Sequence, residues 1–288
     1  MHIEHPQKLE PALYVVATPI GNLRDITLRA LDVLAGADVV AAEDTRNTSH
    51  LLKHHGIHAK QLIAVHQHNE RGAAEKLVAW IQSGQSVAFV SDAGTPAVSD
   101  PGALLVQAVL AAGLRVIPIP GASAAVAALS ASGLPAPHFL FYGFLPNKSA
   151  ARRTVLQDLI SHPYTLVFYE APHRIVECVN DLHAVLGGER RIVLAREVTK
   201  LFETIHSCTL AEAENWLLSD ANQQRGEFVV LVSGALPETG LSAETLATLT
   251  LLLAELPLKQ AVQLATKITG ANRSELYQLA LDMKKADD

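Results

Sequence analysis

Cysteine is nearly absent from this chain: Cys178 and Cys208 are the only two among 288 residues. That is too few for a disulfide framework and suits a reducing compartment better than an oxidising one. Long apolar runs are missing too. Residues 245–254 form an apolar stretch, but a membrane span needs roughly 20 residues. The opening residues, M-H-I-E-H-P-Q-K-L-E-P, have no apolar core of signal-peptide length. A soluble, cytoplasmic protein with no membrane partner is therefore expected. Positive charge is in short supply: 23 Lys and Arg against 29 Asp and Glu leave a net charge of −6. No global field attracts nucleic acid, so such a partner would need a local basic patch. The patterns G-x-G-x-x-G, the P-loop and G-x-S-x-G do not occur. Their absence disfavours a standard dinucleotide site, a nucleotide triphosphatase and a typical serine hydrolase. Histidines do cluster, His66 with His68 and His54, His55 with His58, but no Cys or carboxylate accompanies them at familiar zinc spacing. Surface or hydrogen-bonding roles suit them better, and no metal is expected.

What is present describes a packed protein. Hydrophobic residues make up 49% and charged residues 18%, which argues against disorder, and the length allows two domains. Strand-like apolar runs at 13–18, 38–42, 61–65, 87–90 and 115–119 alternate with helical stretches at 27–34, 45–55, 71–83 and 102–112. Thr27 and Thr45 are candidate helix caps. Such alternation predicts a parallel sheet with helices on both faces. Pro118-Ile119-Pro120-Gly121-Ala122-Ser123 breaks the pattern. A small-residue helix over 122–132 follows, and then a second cluster of breakers at 133–137. Further strands read at 139–142, 164–169, 191–195, 203–207 and 227–232, with helices at 172–186 and 209–219. The closeness of 191–195 to 203–207 allows an antiparallel pair, so this second sheet should be mixed. After a linker at 236–240 the chain reads as helices 242–256, 258–268 and 272–285. The last two flank a T-G-A turn in the manner of a helix-turn-helix, with Asn272 and Glu275 as cap and third-position carboxylate. Over 257–285 five cations face two anions, a local basic face suited to nucleic acid; a dimerising or capping tail would read the same way. The expected fold is α/β: residues 1–121 with a parallel sheet, 122–236 with a mixed sheet, and a helical domain over 237–288.

The chemistry-bearing residues collect where strands end. The run V-A-F-V-S-D-A-G-T-P-A-V-S-D-P at 87–101 starts as a strand with no alternation, as expected when both faces are covered. It leaves through small residues that let a backbone approach a ligand, and open α/β sheets bind ligands just there. Asp92 could instead be an ordinary local cap. Polar or Gly/Pro-rich loops also follow other strands: Pro19 to Arg24, Glu43-Asp44-Thr45-Arg46, Tyr169-Glu170-Ala171-Pro172-His173-Arg174, and the charged run from Arg196 to Glu203. A solvated hairpin would look much like that last run, although its place at a strand exit favours function. Lys148, Arg152 and Arg153 open a helix, where cations oppose the helix dipole. A solvated face is the simpler reading, with a functional use worth considering.

Taken in order, L-Y-V-V-A-T-P-I-G-N-L-R-D-I-T, A-E-D-T-R-N-T, H-Q-H-N-E, V-S-D-A-G-T-P-A-V-S-D-P-G, P-I-P-G-A-S-A, G-F-L-P, Y-E-A-P-H-R, A-R-E-V-T-K-L-F-E and R-G-E-F-V-V-L-V resemble the ribosomal RNA small subunit methyltransferase I family. That family is a branch of the tetrapyrrole methylase superfamily that modifies RNA. The resemblance spans about residues 12–235, and the helical tail is similar too. It implies transfer of a methyl group from S-adenosyl-L-methionine to the ribose 2′-hydroxyl of a cytidine in the decoding region of 16S rRNA, within a ribosomal subunit or its precursor. It also implies a homodimer and a cofactor held in the cleft between the two α/β domains. By motif matching, Asp92, Ala93, Gly94 and Thr95 would line the cofactor, Ala122 and Ser123 would meet it from the domain junction, and Pro19 and Tyr169 would lie near. Where tetrapyrrole-modifying members carry Gly-Asp-Pro, this chain has Ser91-Asp92-Ala93, which favours the RNA branch.

A protonated ribose hydroxyl is a weak nucleophile, so a base or a cation stabilising a developing alkoxide would help. Glu170, Glu197, Lys200 and Glu203 are candidates for the base, and Arg196 or Lys200 for the cation. Phosphate contacts would fall to Arg24, Arg46, Lys148, Arg152 and Arg153, with Lys259 and Arg273 on the tail. Alternatives are a tetrapyrrole C-methyltransferase, a non-catalytic RNA-binding module carried by the tail, and an α/β sugar-nucleotide enzyme, the last disfavoured by the missing phosphate loop.

Overall fold

The computed structural model describes residues 8–66, 69–135, 137–235 and 243–287. His68, residue 136 of the second breaker cluster and the expected linker at 236–240 lie outside them. The chain divides into two compact units that meet at Gly234–Ala235.

The first unit begins with β1 (Leu13–Val16), α1 (Leu28–Gly36), β2 (Val39–Ala42), α2 (Thr45–His54), β3 (Leu62–Ala64), α3 (Glu70–Gln82), β4 (Val87–Val90), α4 (Ala103–Ala111) and β5 (Val116–Ile119). Its five strands are all parallel, in the order β3-β2-β4-β1-β5. Every residue of β4 is buried, and the two-residue period explains why no alternation is visible in its sequence. Val87 and Phe89 pack with Leu77, Leu105 and Val109 on one face. Ala88 and Val90 pack with Leu34 and Leu52 on the other. Thr27 caps α1 by accepting from the Ala30 N–H at 3.1 Å. The cap of α2 is Asp44 and not Thr45: its carboxylate accepts from the Arg46 N–H at 2.8 Å. Gly102, at the start of α4, offers no side-chain cap. The buried Glu70, from the first turn of α3, accepts from the N–H groups of Gly102, Leu104 and Leu105 at 3.0, 3.0 and 3.2 Å. This satisfies donors that a helix start otherwise leaves unpaired.

The same unit continues with α5 (Ala124–Ala131), β6 (Phe139–Phe144), α6 (Ser149–Leu159), β7 (Thr165–Glu170), α7 (Ile175–Leu186), β8 (Arg191–Arg196), β9 (Thr204–Thr209), α8 (Leu210–Ser219) and β10 (Phe228–Val232). The order is β6-β7-β10-β8-β9, with β6 parallel to β7 and the other pairs antiparallel. The mixed sheet and the β8–β9 pair agree with the sequence reading. The small-residue helix starts at Ala124, which leaves Ala122 and Ser123 in the connection before it. One register is decisive for the site. Phe228 pairs with Glu170 on one side and with Arg196 on the other. The entry of β10 therefore lies beside the exits of β7 and β8.

The second unit holds α9 (Ala243–Glu255), α10 (Leu258–Thr269) and α11 (Arg273–Asp287). Leu249, Val262, Ala265, Leu276 and Ala280 form its core. Gly270 ends α10 in the left-handed conformation at φ 71°, which glycine adopts without steric cost. Asn272 accepts from the Ser274 N–H at 2.8 Å. Among the described residues no helix is long and apolar enough to cross a membrane.

Candidate active site

The exits of β1 and β4, neighbours in the first sheet, are tied together. Thr18 and Gly94 exchange backbone hydrogen bonds at 2.8 and 3.1 Å. Thr95 donates its hydroxyl to the Ala122 carbonyl at 3.2 Å, which fixes the loop against the connection to α5. Gly94 has φ 77°, and a Cβ there would press on Ile20 at 3.3 Å. Asp92 accepts from the Asp44 N–H at 3.1 Å, and its own N–H donates to Glu43 at 3.3 Å. The loop is thus held mainly through backbone groups.

Against it stand the exits of the second sheet. Lys200 donates to Glu197 at 2.7 Å and to Glu227 at 2.8 Å. The Glu227 N–H donates to Glu197 at 3.0 Å. Glu197 and Thr199 hold φ values of 52° and 69°, unusual for residues with a Cβ. The glycine at 226 makes room for this fold-back, since a Cβ there would run into the Glu197 side chain. The Asn22 N–H donates to the Thr199 hydroxyl at 3.2 Å, and a Cβ on Gly21 would collide with Lys200. The hairpin between β8 and β9 is therefore locked to the β1 exit. Burial pushes Glu197 up, but the bonds from Lys200 and the Glu227 N–H outweigh it, so its pKa is lowered. Burial likewise works against the Lys200 ammonium, and its two carboxylate partners reverse the sign, raising its pKa.

Two clefts open at this meeting point. The larger, about 300 Å³, is lined by small or polar residues, among them Gly94, Thr95, Ser123 and Tyr169, and by the apolar Val98, Phe144, Val198 and Phe228. Burial raises Tyr169, whose hydroxyl accepts from the Ala125 N–H at 3.3 Å. Asp100, in the same cleft, is pushed up to about 6, first by burial and further by Glu43 and Asp92. The smaller cleft, about 250 Å³, is lined by Pro19, Asp92 and, from α2, Asn47, Thr48, His50 and Leu51. Ile20, Ala93, Lys200 and Glu227 line both.

The expected site residues are distributed unevenly over this geometry. Ala93, Gly94, Thr95, Ser123, Tyr169, Glu170, Glu197 and Lys200 line the larger cleft; Ala122 contributes its carbonyl to Thr95. Arg196 faces elsewhere, its guanidinium donating to the Arg225 carbonyl at 3.3 Å and to Thr204 at 3.1 Å. Glu203 lines neither cleft and accepts from the Thr199 N–H at 2.6 Å, a brace for the hairpin. Glu170 is buried and engaged by the Ala171 N–H and by Arg174. Among the phosphate candidates, Arg152 is a correction. It is 0% exposed and donates to Asp181 at 2.6 Å, so it has no surface to offer a phosphate. Arg153 shares that carboxylate at 2.5 Å, while Arg24, Lys148, Lys259 and Arg273 are exposed. Arg46 is exposed as well and chelates Asp44, which it holds down to about 2. The reading missed Asp100 and Glu227. Asp100 stands in V-S-D-P-G and Glu227 in R-G-E-F, but their place in the site depends on which strands become neighbours. Among the described residues no group of three or more His, Cys, Asp or Glu is arranged to hold a metal.

Residues 12–214 match the family model described as Tetrapyrrole (Corrin/Porphyrin) Methylases, and residues 239–284 match that described as the RsmI C-terminal HTH domain. The ribosomal RNA small subunit methyltransferase I of Pseudomonas aeruginosa is 55% identical over 93% of this chain and 96% of its own. The chain belongs to the tetrapyrrole methylase family, in its ribosomal RNA small subunit methyltransferase I branch. A second member of the branch, from Escherichia coli O157:H7, is 51% identical over 94% of this chain and 95% of its own. Among solved tetrapyrrole methylase-type structures, the methyltransferase CobJ aligns with TM-score 0.59 at 22% identity, over 78% of this chain and 94% of that one. The uroporphyrin-III C-methyltransferase of Thermus thermophilus, solved with S-adenosylhomocysteine, aligns with TM-score 0.54 at 19% identity, over 77% and 97%. At that identity these two carry the fold alone.

Proposed function

We propose that this chain transfers a methyl group from S-adenosylmethionine to the ribose 2′-hydroxyl of a cytidine in small-subunit ribosomal RNA. The observation that carries this is the 55% identity, over 93% of the chain, to a ribosomal RNA small subunit methyltransferase I. The larger cleft suits the cofactor on its own terms. It has the size of a small-ligand site, mostly apolar with a few converging polar groups. Its small residues leave backbone within reach, and Asp100 supplies negative charge for a cation. Ala93, Gly94, Thr95, Ala122, Ser123 and Tyr169 are its proposed holders, with Asp92 and Pro19 at the neighbouring cleft. When bound, the cofactor supplies an electrophilic methyl on a sulfonium.

The chain's task is alignment and charge. Lys200, fixed by two carboxylates at the wall common to both clefts, would stabilise negative charge developing on a nearby oxygen. Glu197, with its lowered pKa, is a weak base and serves better to position Lys200. Arg24, Arg46, Lys148, Lys259 and Arg273 are the proposed phosphate contacts. We also expect a cytoplasmic homodimer acting on a ribosomal subunit or its precursor. Leu201 and Phe202, 89% and 66% exposed at the hairpin tip, are side chains such an interface would cover. Light scattering tests the dimer. The function is tested with labelled cofactor and small subunits lacking the modification, followed by nucleoside analysis. Label in 2′-O-methylcytidine is expected; label on a base, or none, would overturn the reading.

A further inference from the structure

We infer that the smaller cleft is the seat of the acceptor ribonucleoside, with Asn47 and His50 as the side chains that hold its base. This rests on the functional reading above and adds a place for the second substrate. A transferase must bring two ligands to one point, with reacting atoms about 3–3.5 Å apart. Two clefts that share a wall satisfy this; two separate ones do not. Here the Ser91–Gly94 loop stands between them, and Ile20, Ala93, Lys200 and Glu227 belong to both. If the larger cleft takes the cofactor, the smaller is the one open to the acceptor across that wall.

Its chemistry agrees. Ile20 and Leu23, both half-buried, provide apolar surface for the face of a base. Asn47 and His50, three residues apart on α2, lie on one side of the helix. Both are exposed at the cleft, and an amide with an imidazole can pair with a base edge once the base is unstacked. The cleft also holds the carboxylates of Asp92 and Glu227. Glu227 is bonded to Lys200 of the same cleft, and both carboxylates can accept from amino and ribose hydroxyl groups, which suits a nucleoside inside and its phosphates outside. The flanking cations fit that division. Arg24 follows Leu23, and Arg46 precedes Asn47 with its side chain 88% exposed. An exposed cation thus stands one residue from the lining of the cleft at two points, with Arg46 bonded to Asp44.

The test uses the full chain with small subunits lacking the modification. Asn47→Ala and His50→Ala are surface changes, and Lys53→Ala on the same helix is the control. Each lost hydrogen bond should raise the KM for the subunit, by about tenfold for 1.4 kcal/mol. The affinity for S-adenosylmethionine, read by calorimetry, should stay within about twofold, about a third of that energy or less. Asn47→Gln should restore part of the loss in KM. Unchanged KM in both alanine variants would overturn the assignment. So would a loss confined to cofactor affinity, because the cleft would then belong to the cofactor. Absence of transfer by the unaltered chain, a separate result, would overturn the functional reading and this inference with it.

Discussion

Two clusters of cations and carboxylates sit in the second sheet's half of this unit, and they differ in almost everything but composition. Lys200 with Glu197 and Glu227 stands at the wall of two clefts, partly open to solvent. Arg152 and Asp181 lie between α6 and α7 with side chains 0% and 3% exposed, and Arg153, its side chain 55% exposed, shares the same carboxylate. In the first cluster a loop is bent into positive φ so that charges meet at a cavity. In the second, burial raises Asp181, and hydrogen bonds from Arg153, Arg152 and Ser149 more than compensate, so the carboxylate stays below its usual range. Charge beside a cavity can act on a ligand. Charge sealed between helices can only hold the fold.

The comparison can be broken in four ways. The largest effect should come from Arg152→Ala, which leaves Asp181 buried with one partner fewer. About 3–5 kcal/mol of stability should be lost, read from the denaturant midpoint, with the salt dependence of RNA binding unmoved. Next, Lys200→Ala should lower turnover about 10²-fold while the thermal midpoint moves little; equal losses of stability in both variants would erase the distinction. A smaller effect concerns Asp100, whose pKa is pushed from 3.8 to about 6. Its carboxylate is charged above that value, so affinity for the cationic cofactor should fall severalfold as pH drops through about 6. Because the folded pKa is raised, ionisation is disfavoured in the fold, and stability should fall as pH rises from 3.8 toward 6. Asp100→Asn should flatten both profiles. The smallest effects belong to Arg24→Ala and Arg46→Ala, each expected to reduce the salt slope of RNA binding by about 1.

Much of the architecture was legible because it is local. Strand-length apolar runs, caps such as Thr27 and Asn272, and glycines at turns are read over a few residues. The antiparallel pairing of β8 with β9 followed from a short connection. What escaped was long-range. Lys148, Arg152 and Arg153 look alike at a helix start, but the helix phase buries only Arg152 against Asp181, 29 residues on. Arg196, Glu197, Lys200 and Glu203 form one charged run, yet the hairpin turns Arg196 and Glu203 away from the clefts and Glu197 and Lys200 toward them. Glu227 reaches Lys200 because β10 runs antiparallel between β7 and β8.

By itself the chain's sequence determined which segments become strands and helices, and that their exits carry the polar and glycine-containing loops. Periodicity and turn chemistry act within a few residues, so they need no partner. Only the tertiary structure decided which exits face one another and which charges are sealed in. Strand order and register join residues far apart in the chain, and burial sets what each charge can do.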